Sequence, residues 1–149
     1  MTGPAHHTAS NSAAGETAKP APVILLVDDE EIPRISRAGG LKGLGYRVIE
    51  AGDGTAGLAA PRRHRPDLII LDWMMPGLDG PSVCEAIRAD AELKSSHVVL
   101  MTAHDRPDQI VEGLSRGADD FLSKAASQQE VLARVQASLR ASALVREIE

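Results

Sequence analysis

Val23-Ile24-Leu25-Leu26-Val27-Asp28-Asp29 is five consecutive apolar residues that stop on two carboxylates. The same grammar returns at Leu68-Ile69-Ile70-Leu71-Asp72 and at Val98-Val99-Leu100-Met101-Thr102. A less apolar version runs from Tyr46 to Glu50, and another from Asp119 to Ser123, which Lys124 follows. Continuous rather than alternating apolar runs are the mark of strands covered by helices on both faces. The last residues of successive runs lie 23, 21, 30 and 22 positions apart, room in each gap for one crossover helix and two short loops. The reading is an α/β three-layer sandwich: a five-stranded parallel doubly wound sheet with five helices.

The rest of the composition agrees. A chain of 149 residues, 43% hydrophobic and 25% charged, has the length of one domain and is too apolar to be wholly disordered. Sixteen basic against 21 acidic residues leave a net charge of −5, which argues against direct nucleic-acid binding. Cys84 is the single cysteine, which excludes an internal disulfide framework and a multi-cysteine zinc site and suits a reducing compartment. On an apolar helical face beside Val83 it is a buried small residue. With no run of membrane-spanning length, no basic start and no apolar leader, a cytoplasmic protein away from the membrane is expected.

Residues 1–22 are rich in Ala, Ser, Thr, Gly and Pro and are expected to be a disordered tail, in which His6 and His7 form no defined site. The folded unit is expected over 23–141, with 142–149 extending the last helix. Two helix starts are well marked, by Asp79-Gly80-Pro81 and by the Ser127/Glu130 capping box. The first helix carries Gly39-Gly40 and the second Pro61, so both are expected to be short or bent. No site residue is assigned to either.

In an open parallel sheet ligands sit beyond the carboxyl ends of the strands, where Asp28, Asp29, Asp72, Thr102 and Lys124 collect. Three crowded carboxylates repel one another unless a cation is present. Oxygen ligands without nearby Cys or His suit a hard ion, Mg²⁺ rather than zinc. Lys124 adds a positive charge and Thr102 a hydroxyl, so the place can hold a small dianion, with phosphate the obvious candidate.

These blocks resemble the response-regulator receiver domains of two-component signalling. The match runs from Val23 to Leu139 through Val27-Asp28-Asp29-Glu30, the segment Leu71-Asp72-Trp73-Met74-Met75-Pro76-Gly77-Leu78-Asp79-Gly80, then Met101-Thr102-Ala103, and Gly117-Ala118-Asp119-Asp120-Phe121-Leu122-Ser123-Lys124. The resemblance implies a flavodoxin-like strand order of 2-1-3-4-5. It implies that Asp72 is the phosphoacceptor, taking a phosphoryl group from a phosphohistidine on a sensor histidine kinase or phosphotransfer protein. Asp29, Asp72 and the carbonyl of Met74 would be direct Mg²⁺ ligands, and Asp28 would act through water. Thr102 would reorient toward the phosphoryl oxygen and Phe121 would follow inward, switching a face that a downstream effector protein or domain reads. Such a domain catalyses only its own phosphorylation and dephosphorylation and is not otherwise an enzyme.

Several residues admit a second reading. Asp28-Asp29-Glu30-Glu31 alone is also an ordinary helix start favoured by the dipole, and the other strand ends decide against that. His104 either touches the phosphate or decorates the surface. Ala125 stands where the family usually has a cis proline, which leaves the reach of Lys124 open. It also keeps in view a receiver-like protein-binding module without regulated phosphorylation. An aspartyl phosphatase would want a second carboxylate two residues after Asp72, where Met74 stands. The chain is either a stand-alone relay or a piece of a longer protein.

The last helix carries an apolar stripe of Val131, Leu132, Val135 and Leu139, then Leu144, Val145 and Ile148. Five residues turn a helix by about 500°, so the second group is displaced by roughly 140° from the first and faces away from the sheet. Weak homodimerisation through this helix is expected, against a frayed end or a severed linker.

Overall fold

The computed structural model describes residues 20–103 and 106–148, with backbone alone for 145–148. The five apolar runs are strands: β1 (Val23–Val27), β2 (Arg47–Ala51), β3 (Leu68–Asp72), β4 (Val98–Thr102) and β5 (Asp120–Ser123). All neighbours pair in parallel in the order β2-β1-β3-β4-β5, the order the resemblance implies. Bounds shift by a residue where the ladder extends: Ala51 pairs with Val27, and Asp72 with Met101, so Asp72 belongs to its strand.

The helices are α1 (Glu31–Gly43), α2 (Gly54–His64), α3 (Gly80–Ala89), α4 (Pro107–Ser115) and α5 (Gln128–Ile148). The Asp79 Oδ1 caps α3 by accepting from the Ser82 N–H at 2.9 Å, and the Ser127 Oγ caps α5 by accepting from the Glu130 N–H at 3.1 Å. The Asp53 Oδ1 caps α2 in the same way, accepting from the Ala56 N–H at 2.8 Å. At 13 and 11 residues, α1 and α2 are of ordinary length rather than short. Pro61 stands in the last turn of α2, which Arg65 closes in the left-handed region at φ 50°.

Strand residues alternate between two cores. Leu25, Val27, Ile69, Leu71 and Leu100 pack under α3 residues Val83, Cys84 and Ile87 and beside Trp73. Ile24, Leu26, Ile70, Met101 and Leu122 face Ala38 and Leu41 of α1 and Val135 of α5. Cys84 is fully buried, and burial pushes its thiol up to about 11.

Along α5 the covered stripe passes through Val135 to Ser138 and Ser142, both buried, and the Ser142 Oγ donates to the Asp67 carbonyl at 2.8 Å. Leu144 is 64% exposed, off that stripe, as the helical arithmetic requires. The side chains of Val145 and Ile148 lie outside the described residues, as do residues 1–19 of the expected tail. Its end is held to β2: the Arg47 backbone N–H donates to the Pro22 carbonyl and its Nε–H to the Ala21 carbonyl. Among the described residues no helix is long and apolar enough to cross a membrane.

Candidate functional site

Parallel strands deliver their carboxyl ends to one edge, where Asp28 and Asp29 leave β1 and Asp72 ends β3. One carboxylate oxygen from each of the three lies within 4.8 Å of the others. Asp28 is fully buried, Asp72 is 1% exposed and Asp29 is half-buried. The Asp28 Oδ1 accepts from the Glu30 N–H at 3.0 Å, which fixes the turn into α1.

Lys124, just past β5, brings its Nζ to 2.8 Å from the Asp72 Oδ1 and 3.9 Å from the Glu30 Oε1. Ala125 therefore does not prevent the lysine from reaching the acidic cluster. No cis peptide occurs among the described residues, and the Ala125 N–H, which proline would lack, donates to the Ser123 Oγ at 3.1 Å. The Lys124 N–H donates to the Thr102 carbonyl at 2.8 Å, tying the loop to the end of β4.

The loop from Asp72 to α3 is set by a close approach. A Cβ on Gly80 would run into the Asp72 carbonyl oxygen and lie 3.0 Å from the Trp73 Cα, and the Gly80 N–H donates to the Trp73 carbonyl at 3.0 Å. Glycine lets the chain double back at once, so Met74 sits on the rim with its side chain 72% exposed. Only its backbone carbonyl is a credible ligand.

Thr102 is 4% exposed at the end of β4. Two residues earlier, Leu100 pairs with Phe121 of β5, so Thr102 and Phe121 lie on one face of the sheet. Phe121 stacks on Trp73, ring centroids 6.2 Å apart at 27°, and is partly buried. The aromatic assigned to the switch thus touches the residue that follows Asp72. His104 lies outside the described residues.

Contrary to the expectation that α1 adds nothing, its Arg37 places Nη1 3.0 Å from the Asp28 Oδ2. Arg34 of the same helix donates to the Asp28 carbonyl at 3.0 Å and pairs with Glu50 at 3.1 Å. The nine-residue separation of Asp28 and Arg37 was the available signal, and it spans a loop whose turn was not legible. Arg88 was missed too: it donates to the carbonyls of Gly117 at 2.8 Å and Ser96 at 2.5 Å and pairs with Asp119 at 2.6 Å, locking α3 to the β4 and β5 entry loops.

Burial is the main force on Asp72: together with the nearby Asp28 it pushes the carboxyl up to about 6, and Lys124 opposes the shift. Although the ammonium is an ion-pair partner, neither oxygen of Asp72 accepts a well-directed hydrogen bond. Buried carboxylate oxygens with one ammonium beside them and two further carboxylates close by fit a hard divalent cation such as Mg²⁺.

The family model described as the response regulator receiver domain matches residues 24–136. The DNA-binding response regulator MtrA of Mycobacterium tuberculosis is 41% identical over 117 residues, 78% of this chain and 50% of that protein. The receiver domain of the response regulator NarL from Mycobacterium tuberculosis superposes with a TM-score of 0.74 at 33% identity, covering 82% of this chain and 98% of that one. The receiver domain of sensor histidine kinase PA1611 from Pseudomonas aeruginosa, solved with magnesium coordinated in its active site cleft, has a TM-score of 0.74 at 29% identity, covering 80% and 98%. The chain spans about half the length of the curated relatives it matches. With the family model spanning residues 24–136 and MtrA 41% identical over 117 residues, this chain belongs to the response regulator receiver domain family of two-component signalling.

Proposed function

We propose that Asp72 accepts a phosphoryl group from the phosphohistidine of a sensor histidine kinase or phosphotransfer protein, with Mg²⁺ bound by Asp29, Asp72 and the Met74 carbonyl. The cation supplies charge neutralisation at the phosphoryl oxygens. An Asp72 carboxylate oxygen forms the new bond to phosphorus as the donor's P–N bond breaks, the imidazole leaving with the electron pair. Lys124, already 2.8 Å from Asp72, stabilises the charge that arrives, and Asp28, paired with Arg37 before the cation binds, acts through water. Positioning and charge compensation suffice for this reaction, so the domain catalyses its own modification and its reversal, and no other reaction. Thr102 then turns toward the phosphoryl oxygen and Phe121 follows inward into the space vacated, altering the α4–β5–α5 face that an effector reads. The observation that carries this reading is the buried Asp72 carboxylate with no directed hydrogen bond and a lysine beside it. A protein-binding module with no phosphorylation would have no use for that arrangement.

Acetyl phosphate with Mg²⁺ is expected to add one phosphoryl group by intact mass, and none in Asp72→Asn or in EDTA. Modification that persists in Asp72→Asn rules the assignment out. Asp29→Ala is expected to weaken Mg²⁺ binding far more than Asp28→Ala. Exposed Leu144 supports a weak dimer through α5, strengthened by phosphorylation. Sedimentation of the same samples beside Leu144→Glu, with every sample monomeric, would remove that partner.

A further inference from the structure

Between α1 and α5, on the sheet face away from Trp73, lies a cavity of about 250 Å³. Its floor is apolar, with Leu26, Met101 and Leu122 from three strands. Ser36 and Gly40 of α1, one helical turn apart, line it with little side-chain volume, where a covering helix ordinarily offers larger apolar side chains. At the roughly 30 Å³ that a water occupies in the liquid, it has space for about eight non-hydrogen atoms.

Its mouth is basic. Arg37 and Lys124 both line it, and they are the two cations that pair with Asp28 and Asp72. Arg37 uses one N–H on Asp28, and the rest of its guanidinium fork has no partner among the described residues. An apolar floor beside a partly unused guanidinium matches a small carboxylate with a compact apolar body, since Arg takes carboxylates in a bidentate pair.

We propose that this cavity binds a small apolar carboxylate through Arg37, and that its binding and Mg²⁺ binding at Asp28, Asp29 and Asp72 strengthen each other. The second half rests on the reading of the acidic cluster as a Mg²⁺ site. Without the cation, Arg37 is needed to balance Asp28 and the three carboxylates repel an incoming anion. With it, Asp28 is balanced by Mg²⁺ and the guanidinium turns to the ligand. Conversely a ligand that draws Arg37 away leaves more negative charge for the cation. By linkage the two affinities must change by the same factor.

The test uses the full chain, benzoate as probe and backbone amide NMR shifts. Benzoate is expected to shift Gly40 and Leu122 and, when saturating, to tighten Mg²⁺ binding on the order of fivefold, Mg²⁺ tightening benzoate equally. Benzamide, neutral and of the same shape, is expected to enter without the mutual effect. Arg37→Gln is expected to lose the mutual effect. Gly40→Leu fills the cavity and is expected to abolish benzoate shifts while Mg²⁺ still binds; Ser36→Leu does the same from the preceding turn should the first variant fail to fold. Benzoate that leaves Gly40 and Leu122 unmoved, or that moves them with Mg²⁺ affinity unchanged, overturns the proposal. If Mg²⁺ fails to bind the unmodified chain, the acidic-cluster reading falls, while the cavity is still judged by the benzoate shifts.

Discussion

On the sheet face covered by α2, α3 and α4, glycines stand where helix and sheet meet with no room for a methyl group. A Cβ on Gly113 of α4 would lie 2.6 Å from the Phe121 Cζ and 3.0 Å from Trp73, and one on Gly57 of α2 would lie 3.0 Å from a Val27 methyl. Across the sheet, under α1 and α5, the glycines have space. Gly40 would meet only the end of the Gln128 side chain at 3.3 Å and a cavity lies alongside, while the exposed Gly39 faces solvent and would meet nothing within 4 Å. One residue type thus does opposite work on the two faces. On the first, glycine permits close packing around the aromatic pair that touches the acidic site. On the second, it costs helix propensity and leaves volume unfilled.

The sharpest way to break this contrast is Gly113→Ala. Overlap with Phe121 and Trp73 is expected to destabilise by about 2–3 kcal/mol despite the gain in helix propensity, read as a lower urea midpoint at unchanged slope. A neutral or stabilising result would show that the tight face has slack.

Asp72, at the edge shared by both faces, should give an intermediate effect that depends on pH. Its carboxyl is raised from 3.8 to about 6, so the folded state binds the proton more tightly than the unfolded chain. Below 3.8 both states are protonated and the native charge costs nothing. Between 3.8 and 6 stability falls as pH rises, and above 6 the whole cost is present. Asp72→Asn removes it, so in EDTA the variant is expected to be more stable by about 2 kcal/mol at pH 7.5. The difference should vanish below pH 4. Equal stabilities at both pH values, by thermal unfolding, would mean that Lys124 already balances the carboxylate.

The smallest effect tests the solvent side of α1, the helix over the looser face. Gly39→Ala is expected to stabilise α1 by about 1 kcal/mol, seen as a higher urea midpoint, because nothing opposes the added methyl. A loss would mean that the backbone of α1 needs glycine there. The two glycine variants together should therefore move the same measurement in opposite directions.

Much of the site was legible because it depends on strand ends. Asp28, Asp29, Asp72, Thr102 and Lys124 each follow or end an apolar run, and parallel strands must deliver such residues to one edge. Arg37 was not legible: it lies nine residues beyond Asp28 on a helix judged by its glycines rather than its charges. The continuation of the α5 stripe through Ser138 and Ser142 was hidden for a related reason, since small polar residues carry no apolar period and Ser142 is covered through its hydrogen bond to Asp67.

By itself the sequence determined the number of strands, their parallel sense and the polarity of their carboxyl edge, because these follow from local runs of residues and the spacing between them. The strand order came with the family resemblance. Tertiary structure alone decided which guanidinium meets Asp28, that Lys124 reaches Asp72 with alanine behind it, and which glycines are indispensable. Those outcomes depend on how deeply each helix settles on the sheet, a distance summed over contacts from distant parts of the chain that no local pattern contains.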